Sequence, residues 1–141
     1  LGPFVEKFEK DFSKYIGAKY CISTNNGTDA LTLALKSLGV KRNDEVITVC
    51  NSFYATAGAI VACGAKPIFV DSDDRYQINV DKIEKAITTN TKAIIPVHCD
   101  EGNQIGYIAR ATRDYITPKY LFSKNFKKGG LGFCCMKIRG A

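Results

Sequence analysis

Apolar residues recur at three- and four-residue spacings over the opening of the chain. Phe4, Val5, Phe8, Phe12, Tyr15 and Ile16 fall on one face, with Glu6, Lys7, Glu9, Lys10 and Asp11 between them. That period predicts a helix over 4–16, stopped by Gly17. Residues 19–23 then read as a short strand, Thr24–Asp29 as a turn, and 28–38 as a helix carrying Leu31, Ala34, Leu35 and Leu38, ended by Gly39. Glu45-Val46-Ile47-Thr48-Val49-Cys50 is a continuous, mostly β-branched run, the pattern of a strand buried on both faces. Asn51-Ser52 opens a helix with Phe53, Ala57, Ile60 and Val61 at helical spacing, closed by Gly64. Lys66–Asp71 reads as another buried strand, Val80-Asp81 opens a helix with Val80, Ile83, Ala86 and Ile87 as its stripe, closed by Asn90, and Lys92–His98 reads as a fourth strand. Beyond 106 the periodicity is mixed and predicts no element.

Strand and helix thus alternate four times over the first 98 residues, which predicts an α/β fold. We expect three layers, α/β/α, around a mostly parallel sheet. In such sheets ligands sit beyond the carboxyl ends of the strands. The turn at 24–29, the corner Asn51–Phe53, the stretch Asp71–Asp74 and His98 all fall at such ends. The first is the most informative: a strand, a Gly-containing turn and a helix leave backbone N–H groups unpaired at a helix N-terminus, which suits an anion, phosphate above all. The same turn also reads as an ordinary helix cap, with Asn26, Thr28 or Asp29 capping its own helix.

Composition adds limits. The apolar share of 45% over 141 residues is enough for one domain with a core, and no apolar run approaches a membrane span. The chain opens Leu1-Gly2-Pro3-Phe4 with neither an initiator Met nor a signal-peptide pattern, so a fragment in a cytoplasmic setting is expected. Cys21, Cys50, Cys63, Cys99, Cys134 and Cys135 form no C-x-x-C pair, and with a single His a metal site is not expected. Residues 1–106 carry 12 Lys+Arg against 13 Asp+Glu, whereas 107–141 carry 8 against Asp114 alone, so the net charge of +6 lies in the last quarter. That basic segment lacks a nucleic-acid motif, and no nucleic-acid partner is expected. The expected division is therefore 1–106 as the α/β part and 107–141 as an atypical basic segment.

Six segments in order resemble one family. They are Gly2–Glu9, Asn26-Gly27-Thr28-Asp29-Ala30-Leu31, Asp44–Ile47, Ser52-Phe53-Tyr54-Ala55-Thr56, Gly64–Asp71 and Lys92–His98. At this spacing the chain resembles the DegT/DnrJ/EryC1/StrS group of pyridoxal-phosphate-dependent sugar aminotransferases, of fold-type I, over 2–98. The resemblance implies an incomplete large domain of that fold, with pyridoxal 5'-phosphate as cofactor and its phosphate on Gly27, Thr28 and Asp29. Those positions would offer two backbone N–H groups and the Thr28 hydroxyl. Phe53 matches the aromatic that stacks on the pyridine ring, and Thr56 is expected in the same pocket. His98 matches an end-of-strand residue expected to be structural, and Asp71 is expected to be a turn residue. Phe122-Ser123-Lys124-Asn125 resembles the segment of the cofactor-bearing lysine, which makes Lys124 the candidate catalytic residue, although it follows His98 by only 26 residues. The aspartate that pairs the pyridinium nitrogen in the family has no match here. The implied reaction moves an amino group from an amino acid such as glutamate to a keto group of a nucleotide-linked sugar, in a homodimer. Two alternatives stay open: a catalytically incomplete remnant that at most binds a phosphate-bearing ligand, and a basic-tailed module for an anionic polymer.

Overall fold

The run Glu45–Val49 lies at the centre of the protein in the computed structural model, which describes residues 2–97. It forms strand β1, flanked on one side by β2 (Lys66–Val70) and on the other by β3 (Thr91–Ile95), all parallel, in the order β2-β1-β3. Val46, Ile47, Thr48 and Val49 are fully buried, as a strand covered on both faces requires. β2 differs from the reading as a buried strand: it lies at an edge of the described sheet and Phe69 is 55% exposed. A short apolar run does not distinguish a central strand from a strand at an edge.

Helices α1 (Pro3–Ile16), α2 (Gly27–Ser37), α3 (Ala55–Ala62) and α4 (Val80–Ala86) complete the described chain. On one face of the sheet Leu35 of α2 and Ala59 and Ile60 of α3 pack with Val40, Val46, Ala65 and Ala93. On the other face Ile83 of α4 packs with Ile47, Val49, Val70, Ile78 and Ile94. Alternate residues of β1 therefore feed opposite cores, and the arrangement is three layers, α/β/α. Thr48 is buried without penalty because its hydroxyl donates to the Ile95 carbonyl at 3.0 Å. β3 carries an irregularity opposite Glu45/Val46: Glu45 faces Thr91 while Val46 faces Ala93.

Two expected elements change. Residues 19–23 do not form a strand. Tyr20, Cys21 and Ile22 have strand-favouring side chains, but a strand needs a ladder, and no described strand pairs with them; the Ser23 N–H goes to a Glu9 carboxylate oxygen instead. The helix expected from Asn51-Ser52 starts later, at Ala55 with Tyr54 as its cap residue. The Phe53 carbonyl accepts from Thr56 N–H at 3.0 Å, a tight turn ahead of the first α-helical bond, Gly58 N–H to Tyr54 O at 2.9 Å. Phe53 is thus outside the helix and absent from its apolar face. The glycine stops hold: Gly17 adopts φ 71°, and the paired bonds Gly17 N–H to Lys14 O and Ala18 N–H to Ser13 O close α1.

Candidate functional site

The carboxyl end of the sheet is reached by α2 from its other end. α2 has 11 residues, about 16 Å, and the five-residue β1 is about as long. Residues 38–44 turn the chain from the end of α2 into the start of β1. The N-terminus of α2 therefore points toward the end of the sheet where β1 runs out into Cys50 and Phe53.

At that N-terminus Asn26 is the cap residue, in extended conformation, and its side-chain oxygen accepts from Asp29 N–H at 2.9 Å. Asn26 Nδ2 in turn donates to the Asp29 carboxylate at 3.0 Å. Of the possible caps, the structure assigns Asn26. The cap uses Asp29 N–H, so among the three positions expected to hold phosphate it is Gly27 and Thr28 whose N–H groups meet no acceptor among the described residues. Both residues are exposed, as is Asp29. A Cβ added at Gly27 would meet nothing within 4 Å, so the space over this turn is open to a ligand. Cap and anion cradle coexist on one turn because they draw on different N–H groups. This donor set, two N–H groups, a hydroxyl and the positive end of a helix dipole, fits a phosphate.

Phe53 lies in the turn after β1, 69% exposed, with its ring centroid 4.4 Å from that of Tyr54 and the two planes inclined at 54°. An exposed aromatic pair at a strand end leaves a flat apolar surface available to a ring-shaped ligand. Thr56 is placed differently. It is buried, and its hydroxyl is 2.8 Å from that of Ser52, so it braces the Ser52–Phe53 turn from within. Asp71 is an exposed turn residue as expected: it accepts from its neighbour Ser72 N–H and pairs with Lys82 at 2.9 Å. The Lys82 ammonium holds its carboxyl below the ordinary value. Lys124 and His98 lie outside the described residues. Among those described, Cys50 and Cys63 are free thiols, burial pushes the Cys63 thiol up, and no group of His, Cys, Asp and Glu side chains is arranged to hold a metal. No described helix is long and apolar enough to cross a membrane.

Glu9 and Ser23 were not signalled by the sequence. One carboxylate oxygen of Glu9 accepts from both Ser23 N–H, at 2.7 Å, and Ser23 Oγ, at 2.8 Å. No spacing rule relates residues 14 apart on a helix and a loop. The Ser23 N–H first, then its hydroxyl, hold the Glu9 carboxyl below its ordinary value. A depressed carboxylate stabilises the fold above the unfolded-state value, and that contribution disappears as pH falls through the folded-state value. Between pH 7 and pH 3 the melting temperature of the native chain is therefore expected to fall more steeply below about pH 4.5 than that of Glu9→Gln, which has no carboxylate to protonate. Parallel curves would contradict the pairing.

Comparison with known proteins places these features in context. Residues 1–105 match the DegT/DnrJ/EryC1/StrS aminotransferase family. The chain is 48% identical over 99 residues to a dTDP-3-amino-3,4,6-trideoxy-alpha-D-glucose transaminase of Micromonospora megalomicea subsp. nigra, covering 70% of this chain and 26% of that protein. It is 46% identical over 99 residues to GDP-perosamine synthase of Caulobacter vibrioides, covering 70% and 27%. Its fold superposes on the crystal structure of ntda from Bacillus subtilis with bound cofactor pmp at a TM-score of 0.78 and 43% identity, covering 82% of this chain and 27% of the other. The chain spans about a quarter of the length of these relatives.

Proposed function

The chain belongs to the DegT/DnrJ/EryC1/StrS aminotransferase family, and from that premise we propose that residues 1–106 are the cofactor-binding part of a pyridoxal-phosphate-dependent sugar aminotransferase. The observation that carries this reading is the first turn of α2, where Asn26 completes the cap and leaves the Gly27 and Thr28 N–H groups open to an anion. Gly27 and Thr28 hold the phosphate, the Thr28 hydroxyl adds a third donor, and Asp29 keeps the cap that orients them. Phe53 covers one face of the pyridine ring and limits water there. Thr56 acts one step removed, through Ser52. When bound, pyridoxal phosphate supplies the electron sink on which an amino group can be moved. Lys124 is the residue assigned to carry the cofactor covalently. The whole enzyme would take the amino group from an amino acid and deliver it to the keto group of a nucleotide-linked sugar, as a cytoplasmic homodimer. The segment 107–141 is a basic stretch that contributes Lys124 in this scheme.

The test is titration of the 141-residue chain with pyridoxal 5'-phosphate and, separately, with pyridoxal. Tighter binding of the phosphate-bearing form supports the reading; equal or absent binding overturns it. Phe53→Ala is expected to weaken both ligands alike, by about 10-fold, without lowering the melting temperature, since the ring is exposed and stacking contributes about 0.5–1.5 kcal/mol beyond burial. A near-visible absorbance of the bound cofactor that survives Lys124→Ala would remove Lys124 from its role.

A further inference from the structure

The open N–H groups of Gly27 and Thr28 are only as well placed as the segment that leads into them. That segment, residues 18–26, forms no strand among the described residues. A relay of side-chain hydrogen bonds ties its last residues to α1 and to the cap of α2. Glu9 stands about two turns back from the end of α1, and the chain after Gly17 returns alongside the helix to meet it. Its carboxylate takes both the N–H and the hydroxyl of Ser23. The next residue, Thr24, donates its hydroxyl to the Asn26 carbonyl at 2.9 Å. Asn26 then bonds Asp29 twice, through its side-chain oxygen and its side-chain nitrogen. Each member fixes the residue that places the next, and the relay ends on the turn that presents Gly27 and Thr28.

We propose that Glu9 is a positioning residue of the anion cradle: its double hydrogen bond to Ser23 sets the lie of Thr24–Asn26 and so the direction of the Gly27 and Thr28 N–H groups. Glu9 touches no ligand itself. This role rests on the phosphate-binding reading of the cradle, and it gives a task to α1, whose Phe4, Phe8 and Tyr15 are exposed. Ser23 offers two donors that no neutral apolar side chain at position 9 could satisfy, and an unsatisfied N–H at the half-buried Ser23 would draw the segment toward water. Glutamine keeps an oxygen in the same place and is the conservative replacement.

The experiment is amide hydrogen exchange and inorganic phosphate titration, both read by NMR on the full 141-residue chain. Glu9→Ala is expected to speed exchange at Asp29 N–H about 10-fold and to weaken the phosphate response of the Gly27 and Thr28 amides about 10-fold, with β1 amides unchanged. Glu9→Gln is expected to restore most of both. Unchanged exchange at Asp29 in Glu9→Ala overturns the proposal. So does an equal acceleration in β1, which would mark a general loss of stability, and so does a failure of Glu9→Gln to rescue. If the native chain binds neither pyridoxal phosphate nor inorganic phosphate, the cofactor reading falls by itself. The exchange measurement needs no ligand and still decides whether Glu9 holds the cap.

Discussion

Replacing Ile47 by alanine is expected to cost about 3–4 kcal/mol of folding stability, within the range for deleting a buried isoleucine side chain beyond Cβ. Ile47 is fully buried in the central strand, opposite Ile68 of β2 and Ile94 of β3 in register, and belongs to the core that α4 closes. Its side chain is held between elements on three sides, so the space it leaves has little freedom to collapse. For a domain whose total stability is about 5–15 kcal/mol, such a loss leaves a visible unfolded fraction at modest denaturant. Urea unfolding followed by circular dichroism reads it as a lower midpoint at unchanged slope. Val61→Ala, on the 60%-exposed outer side of α3, is the control and is expected to stay within about 0.5 kcal/mol of the native chain. Equal effects at the two positions would mean that β1 is not the centre of the sheet.

Gly27→Asp is expected to act on binding and folding in opposite directions. Gly27 is helical, its added Cβ would meet nothing within 4 Å, and it sits in the first turn of α2, where a carboxylate favours the helix dipole. Removing a glycine from a helix also removes some backbone entropy from the unfolded chain. The melting temperature is therefore expected to hold or rise. The same carboxylate would face the phosphate. Two unit charges about 4 Å apart in water repel by about 1 kcal/mol, so a dianion feels about 2 kcal/mol, or about 30-fold in affinity. Pyridoxal, which carries no phosphate, is expected to bind as before. A variant that keeps full affinity for pyridoxal phosphate would place the phosphate elsewhere, and a variant that unfolds would contradict the open space above Gly27.

What could be read in advance follows from how local each feature is. The α1 stop at Gly17 and the start of α4 at Val80 depend on residues within one turn, and both are found where the sequence puts them. β1 is legible as a strand because Val46-Ile47-Thr48-Val49 is a continuous β-branched run, although its central place could not be told from the edge place of the equally apolar β2. Residues 19–23 misled because propensity is local and pairing is not: Ile22 favours a strand, yet it is 79% exposed and unpaired in the described chain. Phe53 misled through its spacing. It lies four and seven residues from Ala57 and Ile60, a helical interval, but Ser52 and Thr56 close a tighter turn that starts the helix two residues later. The cradle was legible as a turn, and the division of its N–H groups between cap and ligand needed the Asn26 side chain to be seen. The Glu9–Ser23 contact had no sequence signal, since it joins a helix to a loop across 14 residues.

The strand order β2-β1-β3 also has a meaning in time. Glu45 pairs with Lys66, 21 residues on, and with Thr91, 46 residues on. Closing the longer span from an open chain costs about 0.7 kcal/mol more than closing the shorter, a modest gap that still favours β1 meeting β2 first. Synthesis favours the same sequence of events, because β2 leaves the ribosome before β3 does. The part of the domain that presents the Gly27–Phe53 edge can thus begin to assemble before the strand that will cover its other flank has emerged.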